Sequence, residues 1–289
     1  MVAVTESDSE TSAREYDFSQ QDFDRVKKLI YDRAGISLSS SKKNMVYSRL
    51  SRRLRANGFK NFREYLLYLD KGDSTEWEEF TNALTTNLTA FFREEHHFPI
   101  LERHVDQRRK QPKIQIWCSA ASTGEEPYSI AMAVVNAFKT FTPPVQILAT
   151  DLDTNVLEKA QQGVYGMDRL EKMPKEKLKN FFMKGSGSHE GSARVRPELR
   201  NMITFRQLNL LDDSWPIRGP FDVIFCRNVM IYFDKPTQYQ ILKKFAPLLA
   251  SDGLLFAGHS ESFHHAADLF TLREKTVYEL ANKKQVKNV

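Results

Sequence analysis

The chain has 289 residues, 41% hydrophobic and 27% charged, a balance that suits a water-soluble globular protein with room for two modest domains. No apolar run approaches the roughly 20 residues needed to cross a bilayer, and the polar stretch 1–14 lacks the hydrophobic centre of a signal peptide. A cytoplasmic protein without membrane insertion is therefore expected, and its net charge of +5 favours an acidic partner only weakly.

Residues 1–16 are rich in Ser, Thr, Glu and Asp and read as a disordered lead-in. Helical periodicity begins with Phe18, Phe23, Val26, Leu29 and Ile30, and Gly35 closes that segment. A second helix is predicted over 41–57, with Val46, Leu50 and Leu54 inward and Gly58 as its stop. On its flank Arg49, Arg52 and Arg53 form a basic stripe, which reads either as a solvated face or as a binding face for an acidic partner. Helices over 62–69 and 75–86 complete a small all-α domain spanning 17–86.

The segment Asn-Leu-Thr-Ala-Phe-Phe-Arg-Glu (87–94) opens the second domain, 87–289. Phe91 and Phe92 read as packing residues, and Arg93 suits a bidentate pair with a carboxylate. Ile114, Ile116 and Cys118 then alternate with their neighbours as a strand, followed by a turn of small residues, 119–124, and an apolar helix with Pro127 in its first turn. A helix N-terminus at the carboxyl end of a parallel strand is the usual ligand crevice of an open α/β sheet, although an ordinary strand-helix joint looks the same. The turn has one glycine followed by Glu125 and Glu126, so it matches neither a dinucleotide fingerprint nor a phosphate-binding loop. Two carboxylates repel a polyphosphate and welcome an ammonium group; a ligand with both a carboxylate and an α-amino group, such as S-adenosylmethionine, suits the turn.

A second strand, 145–150, ends in Asp151, placed to accept two ribose hydroxyls; the other reading is a helix cap, which is favoured for Asp153. From 163 to 200 the alternation breaks into a basic, turn-rich insertion. Gly185, Gly187 and Gly191 read as a hairpin turn, and 193–196 as an exposed strand with Arg194 and Arg196 on one face. An exposed edge of this kind can add an extended peptide. Strands over 203–208, 221–226 and 253–259, a helix over 235–249 and a closing hairpin around Glu274 and Lys275 finish the sheet. That hairpin separates a methyltransferase-like sheet from a dehydrogenase, whose last strand is normally parallel. Cys118 and Cys226, the two cysteines, end apolar strands and read as buried thiols rather than a disulfide or metal pair. The adjacent pairs His96-His97 and His264-His265 point about 100° apart on a helix and chelate badly, so no metal is expected.

Four words, Asn-Leu-Thr-Ala-Phe-Phe-Arg-Glu (87–94), Ala-Ser-Thr-Gly-Glu-Glu-Pro-Tyr-Ser (121–129), Phe-Asp-Val-Ile-Phe-Cys-Arg-Asn-Val-Met-Ile-Tyr-Phe (221–233) and Gly-Leu-Leu-Phe-Ala-Gly-His-Ser-Glu (253–261), occur in that order. With the helical N-terminal part, they make residues 17–281 resemble the CheR family of bacterial chemotaxis receptor methyltransferases. The resemblance implies an α/β fold, in which a small all-α N-terminal domain precedes a doubly wound, Rossmann-like methyltransferase domain with an inserted antiparallel β-subdomain. It implies transfer of a methyl group from S-adenosylmethionine to receptor glutamates, leaving S-adenosylhomocysteine.

By motif position, the resemblance implies that Arg93 holds the methionyl carboxylate and Glu126 its ammonium, that Asn87 and Thr89 line the same pocket, and that Asp151 takes the ribose. Asn209 and Leu210 would border the adenine, Arg227 and Asn228 would lie beside the sulfonium, and Tyr232 would face the incoming glutamate. Arg227 and Tyr232 are the implied catalytic pair, as orienting groups rather than acid or base. Members that tether themselves to a receptor's C-terminal peptide carry a similar glycine-bounded turn. This places Gly185, Gly187, Gly191, Arg194 and Arg196 at a peptide site, and Arg49, Arg52 and Arg53 against the acidic methylation region of the receptor. A nucleic-acid or small-molecule methyltransferase is disfavoured because Asn228 is followed by Val229 and Met230 rather than by paired prolines. A non-catalytic adaptor is disfavoured by the intact set Arg93, Asp151 and Tyr232.

Overall fold

The computed structural model describes residues 14–72, 74–85 and 87–281, so most of the lead-in lies outside the described residues. The chain divides into two compact units, 1–85 and 86–289.

The first unit contains α1 (Gln20–Ala34), α2 (Lys43–Asn57), α3 (Phe62–Asp70) and α4 (Ser74–Leu84). Its boundaries are chemical: Ser19 and Asp22 form a reciprocal capping box on α1, while Gly35 and Gly58 close α1 and α2 in the left-handed conformation that a Cβ disfavours. Phe23, Val26 and Ile30 of α1 and Val46, Leu50 and Leu54 of α2 are fully buried, as their spacing predicts. The arginine stripe departs from expectation. Arg53 donates to both oxygens of Glu76, at 3.1 and 2.6 Å, and to Glu79 at 2.9 Å, and Arg49 donates to the carbonyls of Ala83 and Thr85. Arg52 stays exposed. The sequence spacing is right for one face, but α4 supplies carboxylates and carbonyls that occupy two of the three guanidinium groups.

The second unit begins with α5 (His97–Gln107), an element to which the sequence reading assigned nothing. Then follow β1 (Ile114–Cys118), α6 (Glu125–Phe138), β2 (Val145–Asp151), α7 (Thr154–Gln162), β3 (Val164–Gly166), α8 (Met167–Leu170), α9 (Lys175–Phe181), β4 (Phe182–Lys184), β5 (Ser192–Val195) and α10 (Pro197–Asn201). The chain ends with β6 (Ile203–Gln207), β7 (Phe221–Cys226), α11 (Lys235–Phe245), β8 (Leu249–Ala257), β9 (Phe270–Glu274) and β10 (Val277–Leu280).

Seven strands form one sheet in the order β6-β2-β1-β7-β8-β10-β9. The first five are parallel, and β10 pairs antiparallel with both β8 and β9, giving the closing hairpin. Alternate residues of the strands feed two cores: Ile114, Ile116, Cys118 and Val223 pack with Ile130, Met132 and Val134 of α6, whereas Trp117, Ile224 and Cys226 pack with Ile241, Leu242 and Phe245 of α11. Helices on both faces make the sheet doubly wound, and strand order reverses beside β1, where the carboxyl ends open a crevice.

The insertion forms a second sheet, β3-β5-β4. Its central strand is β5, paired antiparallel on both sides, so the expectation that 193–196 is an exposed edge fails. The free edges belong to β3 and β4. Arg194 donates to the carbonyl of Gln162 at 3.1 Å, and Arg196 lies beyond the strand as the cap of α10. Within the turn, Gly185 has no room for a side chain: a Cβ there would meet the backbone of His189 and, at 2.9 Å, the carbonyl of Ser192.

Candidate active site

The turn after β1 is held from both neighbouring strands. Ser119 N donates to the carbonyl of Phe225 on β7, and Ala121 N to that of Thr150 on β2, both at 2.9 Å. Gly124 has φ 98°, and a Cβ there would stand 2.7 Å from the Tyr165 hydroxyl and 2.9 Å from Ala160, so only glycine lets α6 start here. Both acidic residues of the first turn suit the positive end of the helix dipole, yet they go different ways. Glu125 pairs with Arg169 and accepts from Thr123 Oγ1 at 2.6 Å, which occupies it. Glu126 turns inward.

There Arg227, at the carboxyl end of β7, is buried between two carboxylates. Its Nη1 lies 2.7 Å from Glu126 Oε2, and its Nη2 lies 3.2 Å from Glu94 Oε2 and 2.5 Å from the carbonyl of Arg93. With 1% of its side chain exposed, the fork of Arg227 is taken up by two protein carboxylates and a carbonyl. A buried guanidinium requires such pairing. Burial raises the pKa of Glu126, while the charges of Arg227 and Arg93 oppose the shift. Burial would also raise Glu94, but hydrogen bonds from His259 and the charge of Arg227 outweigh it and hold Glu94 down to about 2. Two carboxyl groups, Glu94 and Glu126, therefore share this space with the guanidinium of Arg227, and the charge of Arg93 reaches Glu126 as well.

Asp151, at the end of β2, accepts from Ser122 N at 2.7 Å through one oxygen and from Asp153 N at 3.0 Å through the other. These two N–H groups fix the plane of the carboxylate and leave acceptor capacity on both oxygens. Burial pushes its pKa up to about 6. Asp153 accepts from the N–H groups of Asn155 and Val156 as the cap of α7, and receives the Asn87 side-chain amide at 2.8 Å, so Asn87 ties the 87–94 segment to the β2 end. The same segment is pinned to α6 by Phe92 N donating to Ser129 Oγ at 2.9 Å.

Asn209 folds its own turn, accepting from Leu211 N at 3.0 Å, and Leu210 is buried beside it, its carbonyl taken by Lys244 at 3.1 Å. Tyr232 is half-buried at the end of a single 3₁₀ turn, Met230–Tyr232, which begins two residues after Asn228. Backbone strain gathers at these loop ends. Of the six non-glycine residues with positive φ among the described residues, Phe92, Glu94, Ser122 and Asn228 belong to them. A cleft of about 600 Å³ adjoins the 87–94 segment, lined in part by Thr89, Phe91, Phe92, Phe98 and Lys177; of the sequence-derived cofactor set it includes Thr89, but not Arg93, Glu126, Asp151 or Asn228.

Sequence reasoning misses Glu94 and Glu261 as members of this network, whereas His259, ending a strand on the ligand edge, reads from the sequence as a packing or pocket-lining residue. Glu94 and Glu261 end two of the quoted words, which was the available signal. His259 donates its backbone N–H to Glu94 Oε1 at 3.2 Å, and its Nδ1 lies 3.0 Å from the same oxygen. The rings of His96, the cap of α5, and His97 lie 4.2 Å apart between centroids. With Glu94 they place ligand atoms within 4.8 Å of one another, but the Arg227 charge 3.2 Å from that carboxylate competes with any cation.

Two family descriptions match the chain: CheR methyltransferase, SAM binding domain, over residues 87–279, and CheR methyltransferase, all-alpha domain, over residues 21–85. The chain is 53% identical to a chemotaxis protein methyltransferase of Escherichia coli K12 over 264 residues, covering 91% of this chain and 92% of that protein. It is 52% identical to chemotaxis protein methyltransferase 2 of Pseudomonas aeruginosa PAO1 over 269 residues, covering 92% and 95%.

Proposed function

This chain belongs to the CheR methyltransferase family, and from that premise we propose that it makes glutamate methyl esters on the cytoplasmic domains of chemotaxis receptors. Its methyl donor is S-adenosylmethionine, which supplies an electrophilic methyl carbon on a sulfonium. The observation that carries the site reading is the buried arrangement Glu94, Arg227 and Glu126, with Arg93 near enough for its charge to act on Glu126.

In this reading Arg93 holds the methionyl carboxylate and Glu126 the ammonium. Arg227 favours the ionised form of Glu126 against its burial and fixes it in place. Asn87 and Thr89 line that end, Asp151 takes the ribose hydroxyls with its plane set by Ser122 and Asp153, and Asn209 and Leu210 border the adenine. Asn228 lies beside the sulfonium and Tyr232 faces the acceptor. A glutamate with a pKa of about 4.3 is already ionised at neutral pH, so transfer needs no base. A carboxylate oxygen forms a bond to the methyl carbon while the carbon–sulfur bond breaks and its electron pair stays on sulfur, leaving S-adenosylhomocysteine. The protein supplies position and the exclusion of water.

Receptor capture belongs to the same proposal. The glycine turn 185–191 and a free edge, β3 or β4, would seat a C-terminal receptor peptide, raising local acceptor concentration without tightening the active site. Of the stripe Arg49, Arg52 and Arg53, Arg52 is the exposed cation offered to the acidic methylation region. The test is to incubate the protein with methyl-labelled cofactor and receptor-bearing membranes, then add alkali. Release of volatile labelled methanol identifies carboxyl esters; label that stays on protein or nucleic acid through the base treatment overturns the assignment.

A further inference from the structure

At the carboxyl ends of β7 and β8 lies one buried carboxylate, Glu261, to which the proposed function assigns no role. Glu261 is 5% exposed. Its Oε2 accepts from Gly258 N at 2.5 Å and Asn228 N at 2.9 Å, and its Oε1 accepts from Met230 N at 2.8 Å. Burial raises the pKa of Glu261 and these backbone N–H groups oppose the shift; they lie just beyond the ends of two adjacent parallel strands. The opposite polarity of the same loop is also satisfied: the Gln238 amide donates to the carbonyls of Met230, at 2.8 Å, and Phe233, at 3.0 Å. Gly258 leaves no space to relax, since a Cβ there would run into the Asn228 side chain and stand 2.9 Å from Asn228 N and from Glu261 Oε2. Asn228 itself is held at φ 57°, a conformation that persists only where surrounding contacts impose it.

We propose that Glu261 is the positioning residue for methyl transfer, fixing the 227–233 loop so that Asn228 and Tyr232 meet the acceptor in register. This rests on the reading of Asn228 and Tyr232 given above. Both oxygens of Glu261 accept, so Glu261→Gln must aim an NH2 group at one of the backbone donors while keeping size and shape. Such a conflict in a buried place is worth a factor of about ten or more.

Expected for E261Q are a fall in kcat of about tenfold or more per folded molecule, a smaller change in S-adenosylhomocysteine affinity, and faster amide exchange at 228–231. A purely stabilising residue would lower the melting temperature without changing kcat of the folded fraction. Unchanged kcat in E261Q while Tyr232→Phe cripples transfer overturns the positioning role and leaves the site reading standing; unchanged kcat in both overturns both. Should E261Q fail to fold, amide exchange in the unmodified protein decides. Strong protection at Asn228 and Met230 supports the clamp, and exchange as fast as in an unstructured peptide of the same sequence refutes it.

Discussion

Arg227 Nη1 and Glu126 Oε2 meet at 2.7 Å although 101 positions separate them in the chain. The pair joins the carboxyl end of β7 to the first turn of α6, and Glu94 on the far side of the guanidinium extends it to the segment entering the domain. Replacing Arg227 by Ala leaves two carboxylates that already feel one another in a buried space. Removing one partner of a buried pair costs ~3–5 kcal/mol, so chemical denaturation should show Arg227→Ala weakened by that order. A loss under about 1 kcal/mol would mean that water, rather than Arg227, balances Glu126.

Arg93 is the expected partner of the cofactor's carboxylate. Charge-assisted hydrogen bonds contribute about 1.5–3 kcal/mol, so Arg93→Ala should weaken binding of S-adenosylmethionine by roughly 10- to 100-fold in calorimetry. Unaltered affinity would remove Arg93 from the site.

The pH response of binding should come from Asp151. Its folded pKa, raised by burial from 3.8 to about 6, means that its contribution to stability is greatest below 3.8 and declines as pH rises through about 6. Ionised, both oxygens of Asp151 accept hydrogen bonds from the ribose hydroxyls and do so more strongly, so affinity for S-adenosylhomocysteine should increase as pH rises across the same window. Glu94 has the opposite sign: held at about 2, it stabilises the fold above its ordinary 4.5, and that contribution is lost as pH falls toward 2. A calorimetric titration showing flat affinity through pH 6 would argue against Asp151 as the ribose acceptor.

Charge reversal in α2 should separate packing from recognition. Arg53 is bound to Glu76, which also accepts from the Tyr65 hydroxyl at 2.8 Å, so Arg53→Glu should destabilise the helical unit. Arg52→Glu, on an exposed side chain, should leave the melting temperature nearly unchanged, within about 0.5 kcal/mol of stability, while lowering receptor methylation. Equal methylation rates for Arg52→Glu and the parent would return α2 to an ordinary solvated face.

The glycine turn should be separable from catalysis. Gly185→Val forces a side chain into the His189 backbone and should abolish binding to the receptor's C-terminal peptide while leaving cofactor affinity intact. Loss of cofactor binding with peptide binding retained would reverse the assignment of the insertion.

The sequence by itself determined the pieces and where they stop. Apolar spacing fixed the buried faces of α1 and α2, Gly35 and Gly58 fixed their ends, Asp153 its helix cap, and the alternation of β1 its two-sided burial, because each depends on side chains within a turn or two of one another. Phe98, Leu101 and Val105 of α5 also keep helical spacing, a local signal of the same kind.

Only the tertiary structure decided which charges are free to work. Glu125 and Glu126 are chemically identical neighbours, yet Arg169 occupies one and Arg227 orients the other. Arg53 looks like its neighbour Arg52 until Glu76 and Glu79 are beside it, and β5 looks like an edge until β3 and β4 flank it. Buried charge is governed by what lies within a few ångströms, and strand order and helix packing bring residues a hundred positions apart to that distance.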